Sequence, residues 1–211
     1  MKTVIGVTGM PGSGKSVVAR HLAMRLACPH VELSSYLIEA RDDPRDVNAT
    51  RLRWTQSTDL RKSLGPTFLV ERAMHDLESR GADRGVVDGI RTLAECVFFA
   101  SRCFFFLVGF QRPPHLRYKR LSNTPRTTLF RDEPNALFEL DAHEIRLGVG
   151  GALAASDHLV FSDALDGNLD DQARTVADAI CVAAGRAERE ADVKRIHRRF
   201  SVLAHAPAGG E

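Results

Sequence analysis

The sequence is poor in the features that mark secreted, metal-stapled or membrane proteins. It has four cysteines in 211 residues, Cys28, Cys96, Cys103 and Cys181. None forms a CxxC pair and none stands at zinc-ligand spacing from a histidine. Buried free thiols in a reducing compartment are therefore the expectation. No stretch approaches the roughly 20 apolar residues of a membrane span, and the apolar run at residues 3–8 is too short for a signal peptide. Lysine plus arginine number 29 against 27 acids, a formal charge of +2. No strong field therefore draws the chain to nucleic acid or membrane, and no basic stripe carries interleaved aromatics. Internal repeats and low-complexity segments are absent, and the single tryptophan, Trp54, reads as packing. These absences leave a cytoplasmic chain with neither nucleic acid nor membrane as partner, and a monomer or homodimer.

What is present is an ordinary globular composition, 44% hydrophobic, with length for one domain and an attached lid. Strand patterns fall at residues 3–8, 30–33, 85–89, 103–108 and 158–161. Helical patterns fall at 15–26, about 34–41, 55–63, 66–80, 92–100, 113–121, 135–147 and 168–186. Residues 42–54 read as a polar loop, and the run Gly148-Val149-Gly150-Gly151 as the end of a helix. Strands alternating with helices predict βαβ units and a parallel sheet. Residues 122–134 are polar, arginine-bearing and flanked by breakers, which suits a mobile lid. The core domain is placed at 1–185, and residues 186–211 are read as a charged helical extension with a disordered tail.

One segment carries specific chemistry. Gly9-Met10-Pro11-Gly12-Ser13-Gly14-Lys15-Ser16 fits G-x-x-x-x-G-K-[ST], after a predicted strand and at the start of a predicted helix. The glycines let backbone N–H groups converge on phosphate oxygens, and the helix adds the positive end of its dipole. In this pattern Lys15 reaches the β- and γ-phosphates of ATP and the Ser16 hydroxyl ligates Mg²⁺.

Further candidates lie where other strands end, since an open α/β sheet binds ligands at the carboxyl ends of its strands. Asp88 can hold Mg²⁺ through water or accept a proton, and Arg91 can fork a phosphate. Arg117, Arg120, Arg126 and Arg131 surround the lid segment and can bring cations to a site from which water is excluded. Glu32 and Tyr36 flank the end of the second strand, where an acceptor would sit. Glu32 and Asp88 are the candidate bases for a hydroxyl acceptor. His115, His143 and His158 are read as structural.

The residues 7–16, the run Val86-Val87-Asp88-Gly89-Ile90-Arg91, Arg131-Asp132-Glu133-Pro134 and Glu144-Ile145-Arg146-Leu147-Gly148-Val149-Gly150 together resemble the adenylate-kinase-like P-loop nucleoside and nucleotide kinases. The likeness is closest to an uncharacterised, mostly archaeal branch that also looks like dephospho-CoA kinase, and it covers about residues 1–180. It implies a P-loop NTPase fold: α/β, a five-stranded parallel sheet flanked by helices, an arginine-bearing lid and an acceptor-binding helical region near 35–80. It also implies use of ATP and Mg²⁺. Nucleoside monophosphate kinases of this kind carry Gly-Asp-x-x-Arg after the second strand. Here Ser35 and Ile38 stand in place of the Asp and the Arg, and Arg41, Arg61 or Arg72 are the substitutes at hand. The branch carries Arg-Asp-x-Arg-Glu after the lid; here the stretch reads Leu140-Asp141-Ala142-His143-Glu144. The expectation is an ATP- and Mg²⁺-dependent phosphotransferase acting on a small-molecule phosphoryl acceptor: a nucleoside, nucleotide or similar metabolite. Lys15, Asp88, Arg126 and Arg131 are its catalytic residues. The loop residues Gly9, Met10, Pro11, Gly12, Ser13, Gly14, Lys15 and Ser16, with Arg117, hold the nucleotide. Glu32, Tyr36, Arg61 and Arg91 hold the acceptor, and Ser16 and Asp88 the metal. The alternative is an ATP-binding regulatory or partner-binding module with weak or no transfer.

Overall fold

A computed structural model describes residues 1–37, 47–122, 135–162 and 169–190, apart from the side chains of residues 47–54 and 169. The strands are β1 (Thr3–Gly9), β2 (His30–Glu32), β3 (Arg84–Ile90), β4 (Phe104–Gln111) and β5 (His158–Phe161). They form one five-stranded sheet in the order β2-β3-β1-β4-β5, every pairing parallel. The helices are α1 (Lys15–Arg25), α2 (Val47–Leu64), α3 (Phe68–Ser79), α4 (Leu93–Ala100), α5 (Pro114–Ser122), α6 (Ala136–Leu147), α7 (Val149–Ala154) and α8 (Leu169–Glu190).

The central strands are covered on both faces, which is why they read as continuous apolar runs rather than alternating ones. Alternate residues feed two cores. Ile5, Val7, Val86, Phe106 and Val108 meet Val18 and Leu22 of α1 and Ile180 of α8. Val4, Val87, Phe105 and Leu107 meet Leu69 and Leu77 of α3 and Phe99 of α4. The Phe99 and Phe105 rings stack at 5.5 Å between centroids. Among the described residues no helix is long and apolar enough to cross a membrane.

Two local expectations are corrected. The helix expected from Ser34 is a short 3₁₀ turn, Leu33–Tyr36. The Ser34 and Ser35 hydroxyls donate backwards, to Glu32 Oε1 (2.6 Å) and the Glu32 carbonyl (2.7 Å), instead of capping a helix ahead. The expected loop at 42–54 is already α2 from Val47, a polar helix with little apolar periodicity to reveal it. α6 ends at Gly148 as expected, and an additional short helix begins within the glycine run. Gly148 takes a left-handed conformation (φ 113°) that closes α6 and opens α7, whose Val149 and Ala152 are buried. α8 continues unbroken to Glu190, so the first residues of the expected helical extension are helical. The predicted lid (residues 123–134 of it), Arg41 and the tail from residue 191 lie outside the described residues.

Candidate active site

The strand order places β1 between β3 and β4, so its carboxyl end opens between two strands reached by different crossovers, the usual ligand position in such sheets. The chain leaves β1 through the phosphate-loop sequence, with φ of 145°, 79° and 92° at Gly9, Gly12 and Gly14. At Gly12 two demands coincide: the positive φ, and a Cβ that would lie 2.9 Å from the Arg117 carbonyl oxygen. The loop is pinned inside by Ser13 N–H to the Met10 carbonyl (3.2 Å) and from outside by Ser162 Oγ–H to the Ser13 carbonyl (2.7 Å). Gly14 is the N-cap of α1, with no side-chain cap bond and no acid in the first turn. The first amides of α1 are thus left for an anion.

Asp88 stands on β3, next to the strand that leads into this loop. It is in register with Val7 on β1 and with Glu32 on β2, and alternation puts it on the α1 side with Val86. It is 1% exposed, and both carboxylate oxygens are buried with no hydrogen-bond donor. Arg91 and His30 feel its charge. A buried carboxylate lacking donors has lone pairs for a cation or the waters around one. Among the described residues no three His, Cys, Asp or Glu side chains group to cage a metal. A single open carboxylate near an anion-binding loop is a donor set that suits Mg²⁺, which keeps several waters and takes one or two carboxylates beside phosphate oxygens. Ser16 at the loop and Asp88 at the strand end are the residues that would hold it.

The end of β3 is built on a bulge. The β1–β3 register shifts after Val7, and Gly89 takes φ 93°. This re-aims the chain so that Arg91 folds back, Nη1–H donating to the Gly89 carbonyl (2.8 Å) and Nε–H to Glu144 (2.8 Å). Burial works against the Arg91 charge, but Glu144, Glu95 and Asp88 outweigh it and raise its pKa. Glu95 is fully buried. Its Oε2 accepts the Arg91 and Thr92 amides (2.7 and 3.1 Å), completing a capping box with Thr92. Its Oε1 accepts from Arg61 Nη2 (2.7 Å) and Nε (3.2 Å). Arg61 also donates to the carbonyl and hydroxyl of Ser57. Arg61 and Arg91 thus share one end of the site, each closed on a buried carboxylate.

The other candidates are distributed as follows. Tyr36 donates to Asp76 (2.6 Å) and carries the Arg72 guanidinium over its ring at 5.2 Å; burial and the Asp76 bond push its pKa up. Arg117 is 3% exposed. It donates to the Arg112 carbonyl (3.2 Å), the Pro11 carbonyl (3.2 Å) and, in a two-pronged pair, to both oxygens of Asp141 (2.7 and 2.5 Å). It meets the loop through a carbonyl, from behind. A cleft of about 410 Å³ beside it is lined by Met10, Phe110, Arg112, Pro113 and Phe161. A larger hollow of about 710 Å³ runs along α1 past Val17, Arg20 and Met24 and includes none of the loop residues. Arg126 and Arg131 lie outside the described residues.

Glu95 was missed by sequence reasoning, although Thr92-x-x-Glu95 before an apolar run is a readable capping signal. Asp141 and Glu144 were read only as parts of a familiar stretch. Their three-residue spacing on a helix, with apolar Leu137 and Leu140 beside them, was the available sign that both face inward.

No family model matches the chain. It is 31% identical over 169 residues to a UPF0200 protein of Saccharolobus islandicus, covering 76% of this chain and 84% of that one. It is 32% identical over 184 residues to a UPF0200 protein of Methanothrix thermoacetophila, covering 84% and 98%. Among solved structures, shikimate kinase from Bacteroides thetaiotaomicron superposes with a TM-score of 0.56 at 16% identity, over 85% of this chain and 98% of that one. The chain shares the α/β fold of that shikimate kinase, a parallel sheet flanked by helices.

Proposed function

We propose that this chain, which belongs to the UPF0200 family, is an ATP- and Mg²⁺-dependent phosphotransferase that acts on a nucleoside, nucleotide or similar small metabolite. The observation that carries the reading is Asp88: a carboxylate 1% exposed, without a donor, at the strand end beside a glycine loop that opens a helix. Lys15 contacts the β- and γ-phosphates, and the loop amides hold their oxygens. Bound Mg²⁺, held by Ser16 and Asp88, would neutralise charge on those phosphates. Arg126 and Arg131 belong to the proposal as further cations. Arg117 acts on the loop through Pro11. The likeness to dephospho-CoA kinase read in the sequence belongs to this proposal too, as does the cytoplasmic setting.

The acceptor offers a hydroxyl. A phosphate acceptor needs a cation whose charge is not already neutralised, and Arg61 and Arg91 are paired with the buried carboxylates of Glu95 and Glu144. Glu32 and Asp88 stand side by side at the ends of β2 and β3, an arrangement that disfavours a dianion. Glu32, held by the Ser34 hydroxyl, takes the acceptor proton as the hydroxyl oxygen bonds to the γ-phosphorus and the bond to the bridging oxygen breaks, leaving ADP. Tyr36, its hydroxyl engaged by Asp76, offers its ring to the acceptor.

A second reading, an ATP-binding regulatory or partner-binding module with weak or no transfer, is favoured by the closure of both arginines and by Leu140 and His143, where the branch carries arginine. The decisive test is Lys15→Ala together with product formation over an acceptor panel. Lys15→Ala is expected to abolish transfer and to weaken ATP binding about tenfold or more, the loss of a charge-assisted contact. A Lys15→Ala protein that binds and turns over ATP like the parent ends the proposal. Parent protein that binds ATP yet phosphorylates nothing selects the second reading.

A further inference from the structure

We infer that α6 is a brace that positions the phosphate loop and the end of β3 relative to one another, through Asp141 and Glu144. The two carboxylates are three residues apart and share the inward face of the helix, 9% and 5% exposed. Asp141 takes both prongs of Arg117, and the same Arg117 Nη1 donates to the Pro11 carbonyl inside the phosphate loop. Tyr118 Oη–H adds a bond to Asp141 (2.6 Å). Glu144 takes Arg91 Nε–H, and Arg91 Nη1 holds the carbonyl of Gly89, the bulge residue next to Asp88. Beyond Glu144, Gly148 lies against the Arg91 backbone: a Cβ there would stand 3.4 Å from the Arg91 carbonyl oxygen.

One rigid helical turn therefore carries two buried ion pairs, one to each half of the site. Such pairs add specificity of geometry more than net stability, because desolvation offsets their attraction. A shift of the loop on binding phosphate moves Pro11, and the contacts Pro11–Arg117–Asp141 and Glu144–Arg91–Gly89, joined through one turn of α6, lead from there to the bulge beside Asp88. Asp141 and Glu144 are positioning residues: they act through the arginines and touch no substrate. The brace itself is a property of the fold; that it couples nucleotide to acceptor side rests on the phosphotransferase reading.

The experiment is amide hydrogen exchange on the full chain, parent against Asp141→Asn and Glu144→Gln, first without ligand and then with ADP and Mg²⁺. Without ligand, Asp141→Asn is expected to speed exchange about tenfold at residues 9–16, and Glu144→Gln at residues 89–92, the loss of one charge-assisted bond each. β4 should stay unchanged in both. A rise spread evenly over the molecule, or none, overturns the brace, since a merely stabilising pair would loosen everything alike. Where a single change unfolds the protein, the paired replacement Arg91→Met with Glu144→Leu keeps the volume without a buried charge. It should still speed residues 89–92 alone. With ADP, the parent should gain protection at 89–92 as well as at 9–16, and Glu144→Gln should lose only the former. Protection confined to 9–16 in the parent overturns the coupling. If ADP fails to bind the parent, the nucleotide reading falls, while the ligand-free comparison still decides the brace.

Discussion

Asp88→Asn is expected to make the ligand-free protein more stable and the Mg²⁺-dependent function worse. The carboxylate is 1% exposed and neither oxygen has a donor. A buried polar group without a partner costs about 1–3 kcal/mol, and more when charged. Asparagine is nearly isosteric and neutral. Against that gain stand the lost attraction of Arg91, which feels the Asp88 charge, and an amide that brings donors of its own. The balance is about 1 kcal/mol in favour of asparagine, or roughly 2–4 °C in Tm for a chain of this size. The assay is thermal unfolding with and without Mg²⁺ and ADP. Ligand at about 100 times Kd adds about 2.7 kcal/mol to the parent, and Asp88→Asn should lose most of the Mg²⁺-dependent part of that increment. A variant that melts below the parent without ligand refutes the unpaired-carboxylate argument. A variant stabilised by Mg²⁺ and ADP as strongly as the parent refutes the metal assignment.

Two further outcomes are expected. Ala27 sits at φ 48° just after α1, where Cys28 N–H reaches the Ala23 carbonyl (3.0 Å) and Ala27 N–H the Met24 carbonyl (3.2 Å). This is a left-handed helix end that suits glycine, so Ala27→Gly should raise the urea-unfolding free energy by about 0.5–1 kcal/mol; relief of about 1–2 kcal/mol of strain exceeds the entropy cost of glycine. His30 and His143 are pushed below the ordinary histidine value of 6.5, chiefly by burial, with Asp88, Glu32 and Glu144 pulling the other way. Their neutral forms are favoured on folding, so this stability is complete above pH 6.5 and is lost as pH falls through the lowered values. His30→Asn should flatten the decline in Tm between pH 7 and pH 5 (two values bracketing about 6.5); an unchanged decline rejects the assignment.

The parts legible in the sequence were those set by local rules. A β-branched run, glycines at fixed spacing and Lys15-Ser16 placed β1, the loop and α1 correctly to within a residue. The alternation of strands and helices announced the parallel sheet. The polar start of α2 was hidden because only tertiary contact distinguishes it from a loop. α7 was hidden because one left-handed glycine joins two helices in a run that reads as a breaker. The ion pairs were the least legible. Arg61 and Glu95 are 34 residues apart and Arg91 and Glu144 are 53 apart, so no local pattern reveals that these two arginines bring their own counter-charges.

Those counter-charges bear on which reading of the site is the better one. Leu140 is 7% exposed within the core, so α6 offers there a packing residue and not a cation for the transferred phosphoryl group. In the proposed reaction that burden would fall on Lys15, the loop amides and the predicted lid arginines. A protein that only packed its carboxylates would close each on a donor, as it does with Glu95, Asp141 and Glu144. Asp88 alone of these buried acids is left open, in register with Val7, two residues before the phosphate loop begins. Structural need does not account for it, because asparagine would fill the same space at lower cost. A cation, present only when the site is loaded, does account for it. The unpaired carboxylate therefore argues for metal-assisted phosphate chemistry here, and the closed arginines restrict what that chemistry acts on.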